Sequence, residues 1–134
     1  MKTKTLKQQV TLKASPLEVY NLLMDSEKHG AFTGGEVTMS TEIGGAFSVF
    51  DGYCHGYNIE LDPGKKIVQA WHFAEDGWPD DHFSICTFEL NDMEKGTKVF
   101  FAQTSIPEHK YESLKGGWKD FYWEPIKQYL AEQV

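Results

Sequence analysis

Between Thr5 and Lys13 the apolar side chains Leu6, Val10 and Leu12 fall on even positions, and the odd positions are Thr, Lys or Gln, with Gln8 the one lapse. A period of two marks a strand with one buried face. Ser15-Pro16-Leu17-Glu18 follows: a hydroxyl to cap the first amides, a Pro where the missing N–H costs nothing, and a Glu placed to bond back to the cap. This predicts a helix start, and Val19, Leu22 and Leu23, flanked by Tyr20, give that helix one apolar stripe. Asp25 to Phe32 predicts a second short helix, with Asp25 as N-cap and Thr33-Gly34-Gly35 as its end.

Beyond Gly35 the pattern changes to short runs of β-branched and aromatic residues. They are interrupted by Gly44-Gly45, Asp51-Gly52, Asp62-Pro63-Gly64 and the stretch from Asp92 to Gly96. Turn signals at such spacing predict a meander, with strands near Glu36–Ser40, Ala46–Phe50, Cys54–Leu61, Lys66–Phe73, His82–Leu90 and Thr97–Ser105. The clearest alternation sets Tyr57, Ile59 and Leu61 against Asn58 and Glu60. Val99-Phe100-Phe101-Ala102 is apolar on both parities, so the register stays open at this point; a slip of one residue exchanges every inward side chain for an outward one.

The most periodic segment is the last. Leu114, Trp118, Phe121, Tyr122, Pro125, Ile126, Tyr129 and Leu130 mark one broad face of a long amphipathic helix ending near Glu132, bent at Pro125. A strand, two short helices, six consecutive strands and a terminal helix is an α+β order. The connections are too short for parallel crossovers, which makes the sheet antiparallel. The apolar face of a twisted sheet of six or seven strands needs a cover, and only the terminal helix is long enough to supply it. Where the two diverge, a cavity remains. The whole of 1–134 is expected to form one domain.

These elements carry a resemblance over nearly the entire chain. Ser15-Pro16-Leu17-Glu18-Val19-Tyr20, Asp25 to His29 with Phe32-Thr33-Gly34, Gly44-Gly45-Ala46-Phe47, and Gly117-Trp118 with Tyr122-Trp123-Glu124-Pro125 resemble the START-like (SRPBCC, Bet v-like) superfamily. The branch they resemble is named for an activator of the heat-shock protein 90 ATPase. The resemblance implies a helix-grip fold: a curved antiparallel sheet, two short helices after the first strand, and a cavity under the C-terminal helix. It does not imply one activity, because the superfamily includes lipid carriers, hormone binders, polyketide cyclases and co-chaperone domains.

Composition narrows the functional classes. Nine Phe, six Tyr and four Trp must line a core or a pocket, since such side chains bury about 150–250 Å² each. All 13 basic residues are Lys, against 20 acidic ones, for a net charge of −7. That balance opposes nucleic acid and anionic membrane surfaces, and the lack of Arg removes the fork that binds phosphate bidentately. No run approaches a membrane span, the N-terminus lacks the apolar run of a signal peptide, and Cys54 and Cys86 are too few for a disulfide framework; cytosolic residence is the expectation.

Candidate chemistry is sparse. His29, His55, His72, His82 and His109 form no recognised set with the acidic cluster Glu75, Asp76, Asp80 and Asp81; Asp76 to Asp81, around Gly77-Trp78-Pro79, reads as a solvated loop in preference to a metal site. Cys54, His55, His72 and Cys86 lack paired metal-ligand spacing, no nucleophile elbow or Walker loop is present, and the glycine pairs read as turns and a helix start. No metal, cofactor or catalytic residue is assigned. The aromatics able to face the cavity are Phe47, Tyr53, Tyr57, Trp71, Phe88, Phe101, Trp118 and Tyr122, of which Tyr and Trp bring polar tips that want partners. The first functional reading is a non-catalytic domain, monomer or homodimer, holding a small hydrophobic or amphipathic ligand, lipid-like or polycyclic. The alternative, from resemblance, is a chaperone-interacting module; the third is a cyclase- or hydrolase-like enzyme using the same cavity with a Tyr or His as acid or base.

Overall fold

Strand β1 (Thr3–Leu12) keeps the alternation seen in the sequence, with Leu6, Val10 and Leu12 buried, in a computed structural model that describes residues 1–133. Helix α1 (Pro16–Met24) begins where the capping residues place it: the Glu18 amide donates to Ser15 Oγ at 3.2 Å. The Glu18 carboxylate accepts from the Ser15 hydroxyl as well, so the return bond goes to the side chain of the cap. Asp25 caps α2 (Ser26–Thr33) through the Lys28 amide at 2.9 Å, and Gly34 ends it in the left-handed conformation at φ 78°.

Six further strands follow: β2 (Thr38–Met39), β3 (Ala46–Val49), β4 (Cys54–Asp62), β5 (Lys66–Phe73), β6 (Ser84–Met93) and β7 (Gly96–Pro107). All pair antiparallel in one seven-stranded sheet of order β1-β7-β6-β5-β4-β3-β2, so the first strand returns beside the last. The inner face is set by rows such as Phe47, Gly56 and Trp71, which lie opposite one another across β3, β4 and β5. Gly56 is required there, because a Cβ would meet the Ala70 carbonyl and the Phe47 ring.

Two expectations change. The run Tyr57, Ile59, Leu61 does not form the buried face of β4; Cys54, Gly56 and Asn58 are inward, and a register shift between Asn58 and Glu60 interrupts the pairing around Ile59. Asn58 is buried because it is satisfied, donating to the carbonyls of Ser40 and Glu42 and accepting from Gln69. A hydrophobicity count cannot see such an exchange.

The terminal helix is also not one regular rod. A 3₁₀ turn (Glu108–Lys110) leads into α3 (Tyr111–Trp118), a π-helical segment spans Lys119–Trp123, and α4 (Glu124–Glu132) completes it. Pro125 sits in the first turn of α4, directly after the wide turn in which the Glu124 amide donates to the Lys119 carbonyl. Pro has no N–H for the carbonyl four residues back, and a widened turn accommodates that loss. The extra residue turns Tyr122 and Trp123 both toward the sheet and leaves Phe121, expected on the buried face, 59% exposed. Gly116 and Gly117 lie in the last turn of α3 rather than at a helix start.

Candidate functional site

The cavity lies between the inner face of the sheet and the junction of α3 with the π segment, and measures about 280 Å³. The turn after β3 contributes Phe50 and Tyr53, β4 begins with Cys54, β5 supplies Trp71 and Phe73, and the loop after β5 supplies Glu75. The opposite wall is Ser113, Leu114, Gly117 and Trp118 of α3, with Phe121 and Tyr122 of the π segment.

Its walls are apolar because their polar tips turn elsewhere. The Trp71 indole donates to Gln69 Oε1 at 3.0 Å, and Gln69 in turn donates to Asn58 Oδ1 at 2.9 Å. The Trp118 indole donates to Gln103 Oε1 at 2.7 Å, and Gln103 donates to Ser84 Oγ at 2.7 Å. The Tyr122 hydroxyl lies 2.7 Å from His29 Nε2, while His29 Nδ1 lies 2.9 Å from the Leu23 carbonyl. That carbonyl can only accept, so Nδ1 carries the proton and Nε2 accepts from Tyr122. Burial of His29 pushes its pKa down to about 4, against the opposing bond to Leu23, and burial likewise pushes the Tyr122 hydroxyl up. Trp118 is the hub, with its ring centroid 4.4 Å from Phe101, 4.6 Å from Tyr122 and 5.2 Å from Trp71.

The mouth is polar. Glu75 accepts from the Tyr53 hydroxyl and pairs with Lys110 Nζ at 3.0 Å, and Lys110 also donates to the Asp76 carbonyl at 2.5 Å. His109 Nε2 donates to the Gly77 carbonyl at 2.8 Å. The loop after β5 is thereby strapped to the turn that precedes α3. Burial raises the Cys54 thiol pKa, with the nearby Glu75 charge adding to the effect, and keeps that wall uncharged. Phe50 reaches the rim with φ at 52°, a left-handed conformation that costs a bulky residue about 1–3 kcal/mol, and its ring meets Phe121 edge-on at 6.0 Å.

Four of the eight aromatics proposed from the sequence line this cavity: Tyr53, Trp71, Trp118 and Tyr122. Phe47, Phe88 and Phe101 are buried but do not line it; Phe88 and Phe101 lie under Trp118, and Phe47 lies against Trp71. Tyr57 is corrected outright: it is 44% exposed on the outer face of the sheet beside Phe83, because Gly56 and Asn58 hold the inward positions of β4. Cys54 and Cys86 face inward and His55 and His72 outward, so the sheet separates the members of the zinc set considered from the sequence. Phe73, in phase with Trp71, and Gly117 with Phe121, in phase with Leu114, were reachable by period; Glu75 was not, since only the fold brings its loop to Lys110.

A sheet folded around a terminal helix with an apolar cavity beneath places the molecule in the helix-grip class. The family model described as Activator of Hsp90 ATPase homolog 1-like protein matches residues 13–131, and the chain belongs to that family. Among curated proteins it is 36% identical over 126 residues to the Activator of 90 kDa heat shock protein ATPase homolog of Dictyostelium discoideum, covering 93% of this chain and 32% of that protein. It is 35% identical over 124 residues to homolog 1 of Homo sapiens, covering 92% and 36% respectively. The chain thus spans about a third of the length of the curated relatives it matches. A crystal structure of an HSP90 activator from Plasmodium falciparum superposes with a TM-score of 0.86 at 24% identity, over 95% of this chain and 96% of that one. A Mesorhizobium loti protein superposes with a TM-score of 0.85 at 18% identity, over 98% and 99%. These likenesses show the fold.

Proposed function

We propose that this domain is a chaperone-docking module that binds an Hsp90-type ATPase and raises its turnover. The observation that carries the reading is family membership across residues 13–131, together with relatives named as activators of the 90 kDa heat shock protein ATPase at 35–36% identity. The surface offered to the partner is the uncovered outer face of the sheet. There Tyr57 and Phe100 are exposed, Val68 and Ile85 are half-buried on the same face, and Glu89 stands directly opposite Phe100. An apolar patch left in water marks an interaction surface. Steady-state ATP hydrolysis by a purified Hsp90-type chaperone, with and without this domain, tests it. A higher rate and a complex measurable by calorimetry are the expected results; an unchanged rate with no heat of binding overturns the reading.

A second reading has its own observation. The indoles of Trp71 and Trp118 and the hydroxyl of Tyr122 all spend their hydrogen bonds outside the cavity, which leaves apolar walls around space that no side chain fills. The cavity holds a small molecule with an apolar body. At about 280 Å³ it sits at the lower edge of the ~300–1,000 Å³ typical of ligand pockets, and so favours a compact ligand over a diacyl lipid. Among the described residues no helix is long and apolar enough to cross a membrane.

A further inference from the structure

Gly117 is a helical residue on the cavity wall, and a Cβ built there meets nothing within 4 Å. Gly inside a helix costs about 1 kcal/mol relative to Ala, and packing does not demand it here. What it provides is room at the entrance, opposite Tyr53 and Glu75. Those two side chains are the polar equipment of the mouth, with Ser113 as a further hydroxyl and Lys110 paired with Glu75 from outside the lining. Glu75 and Lys110 are held by one another at 3.0 Å with side chains only 21% and 18% exposed, so the mouth is polar yet carries no net charge.

We propose that this neutral Glu75–Lys110 pair, with Tyr53, selects a compact flat aromatic ligand ending in an uncharged hydrogen-bonding group and rejects both carboxylates and ammonium ions. The inference rests on the cavity reading of the second proposal above. An apolar body packs against Trp71, Phe73 and Trp118, and an uncharged hydroxyl donates to the Glu75 carboxylate or to the Tyr53 oxygen, whose own proton is given to Glu75. A carboxylate entering the mouth meets Glu75, and an ammonium ion drawn to Glu75 finds that carboxylate already paired with Lys110 at 3.0 Å. Each is stripped of water without a free counter-charge, since the two opposite charges already neutralise one another. Aromatic faces do attract cations, but the rings here are turned on each other, with Trp118 held between Trp71 and Tyr122, and the one carboxylate of the lining is already paired with Lys110.

Three probes of one shape separate the possibilities in isothermal titration at pH 7.5: 2-naphthol, 2-naphthoate and 2-naphthylmethylammonium. The wild-type chain is expected to bind 2-naphthol about tenfold more tightly than either ion. Lys110→Met leaves Glu75 uncompensated and moves the preference to the ammonium probe; Glu75→Gln leaves Lys110 uncompensated and moves it to the carboxylate. Shifts of opposite sign cannot come from a general loss of folding. Gly117→Leu fills the entrance with a better helix former and abolishes binding of all three, while its thermal midpoint is held or raised. If the three probes bind alike and neither charge variant reorders them, while Gly117→Leu still blocks binding, the cavity is a ligand site and the proposed selectivity is wrong. If no probe binds the wild-type chain, or Gly117→Leu leaves binding intact, the cavity reading itself falls and takes this inference with it.

Discussion

His29 is the residue on which the closure of the sheet by the terminal helix is most sensitive to pH. It accepts the Tyr122 hydroxyl of the π segment and donates to Leu23 of α1, so one imidazole joins three helical elements. Its pKa is pushed down to about 4 in the fold, by burial first, against about 6.5 in the unfolded chain. The unfolded state therefore takes up the proton first, and stability falls as pH drops from about 6.5 toward 4, by about 3 kcal/mol in all from this group. Above pH 6.5 the contribution is fully present. Urea unfolding at pH 7 and pH 4.5 is expected to show that loss, and in His29→Phe the part of the pH dependence between these values flattens, although the variant is less stable at pH 7 because the buried Tyr122 hydroxyl loses its acceptor. Of the residue-level features, the Ser15 and Asp25 caps were legible, because capping is local chemistry within four residues. The partnership of His29 with Tyr122 was not, since 93 residues separate them.

Among the elements, the C-terminal helix shows where a periodic pattern misleads. Its apolar positions read as one stripe, yet the π turn from Lys119 to Trp123 shifts the phase by one residue, burying Trp123 and turning Phe121 outward to the cavity rim. The signal was Pro125, read as a bend; its physical effect is a widened turn one step earlier. The same helix carries glycines without a packing reason. At Gly116, exposed and with open space for a Cβ, Gly116→Ala is expected to stabilise the domain by about 0.5–1 kcal/mol, a rise of roughly 2–4 °C in thermal midpoint by calorimetry. An unchanged or lower midpoint means that α3 is not limited by its helix propensity. Strand β4 gives the parallel lesson: its polar Asn58 is inward because Ser40, Glu42 and Gln69 satisfy it, and Tyr57 is outward in consequence.

At the scale of the molecule, the two sides of the sheet differ: one carries the apolar cavity under the helix, and the other exposes Tyr57 and Phe100 among polar side chains such as Thr87, Glu89 and Lys98. If the outer face is the docking surface, Tyr57→Glu and Phe100→Lys, the latter opposite Glu89, will weaken chaperone binding by about tenfold or more while leaving the thermal midpoint within about 2 °C, since neither substitution enters the core or opposes a like charge across the sheet. Loss of folding in both variants, or unchanged affinity, counts against that face. The chain's sequence by itself determined the order of elements, the antiparallel connection of the strands, the capped helices and the need for an aromatic core, because each rests on period, turn chemistry or composition over a few residues. Tertiary structure alone decided which parity of β4 faces inward, which four aromatics reach the cavity, and that Glu75 meets Lys110. Those outcomes depend on register and on contacts between segments tens of residues apart, where a polar group satisfied by a distant partner outranks the local hydrophobic count.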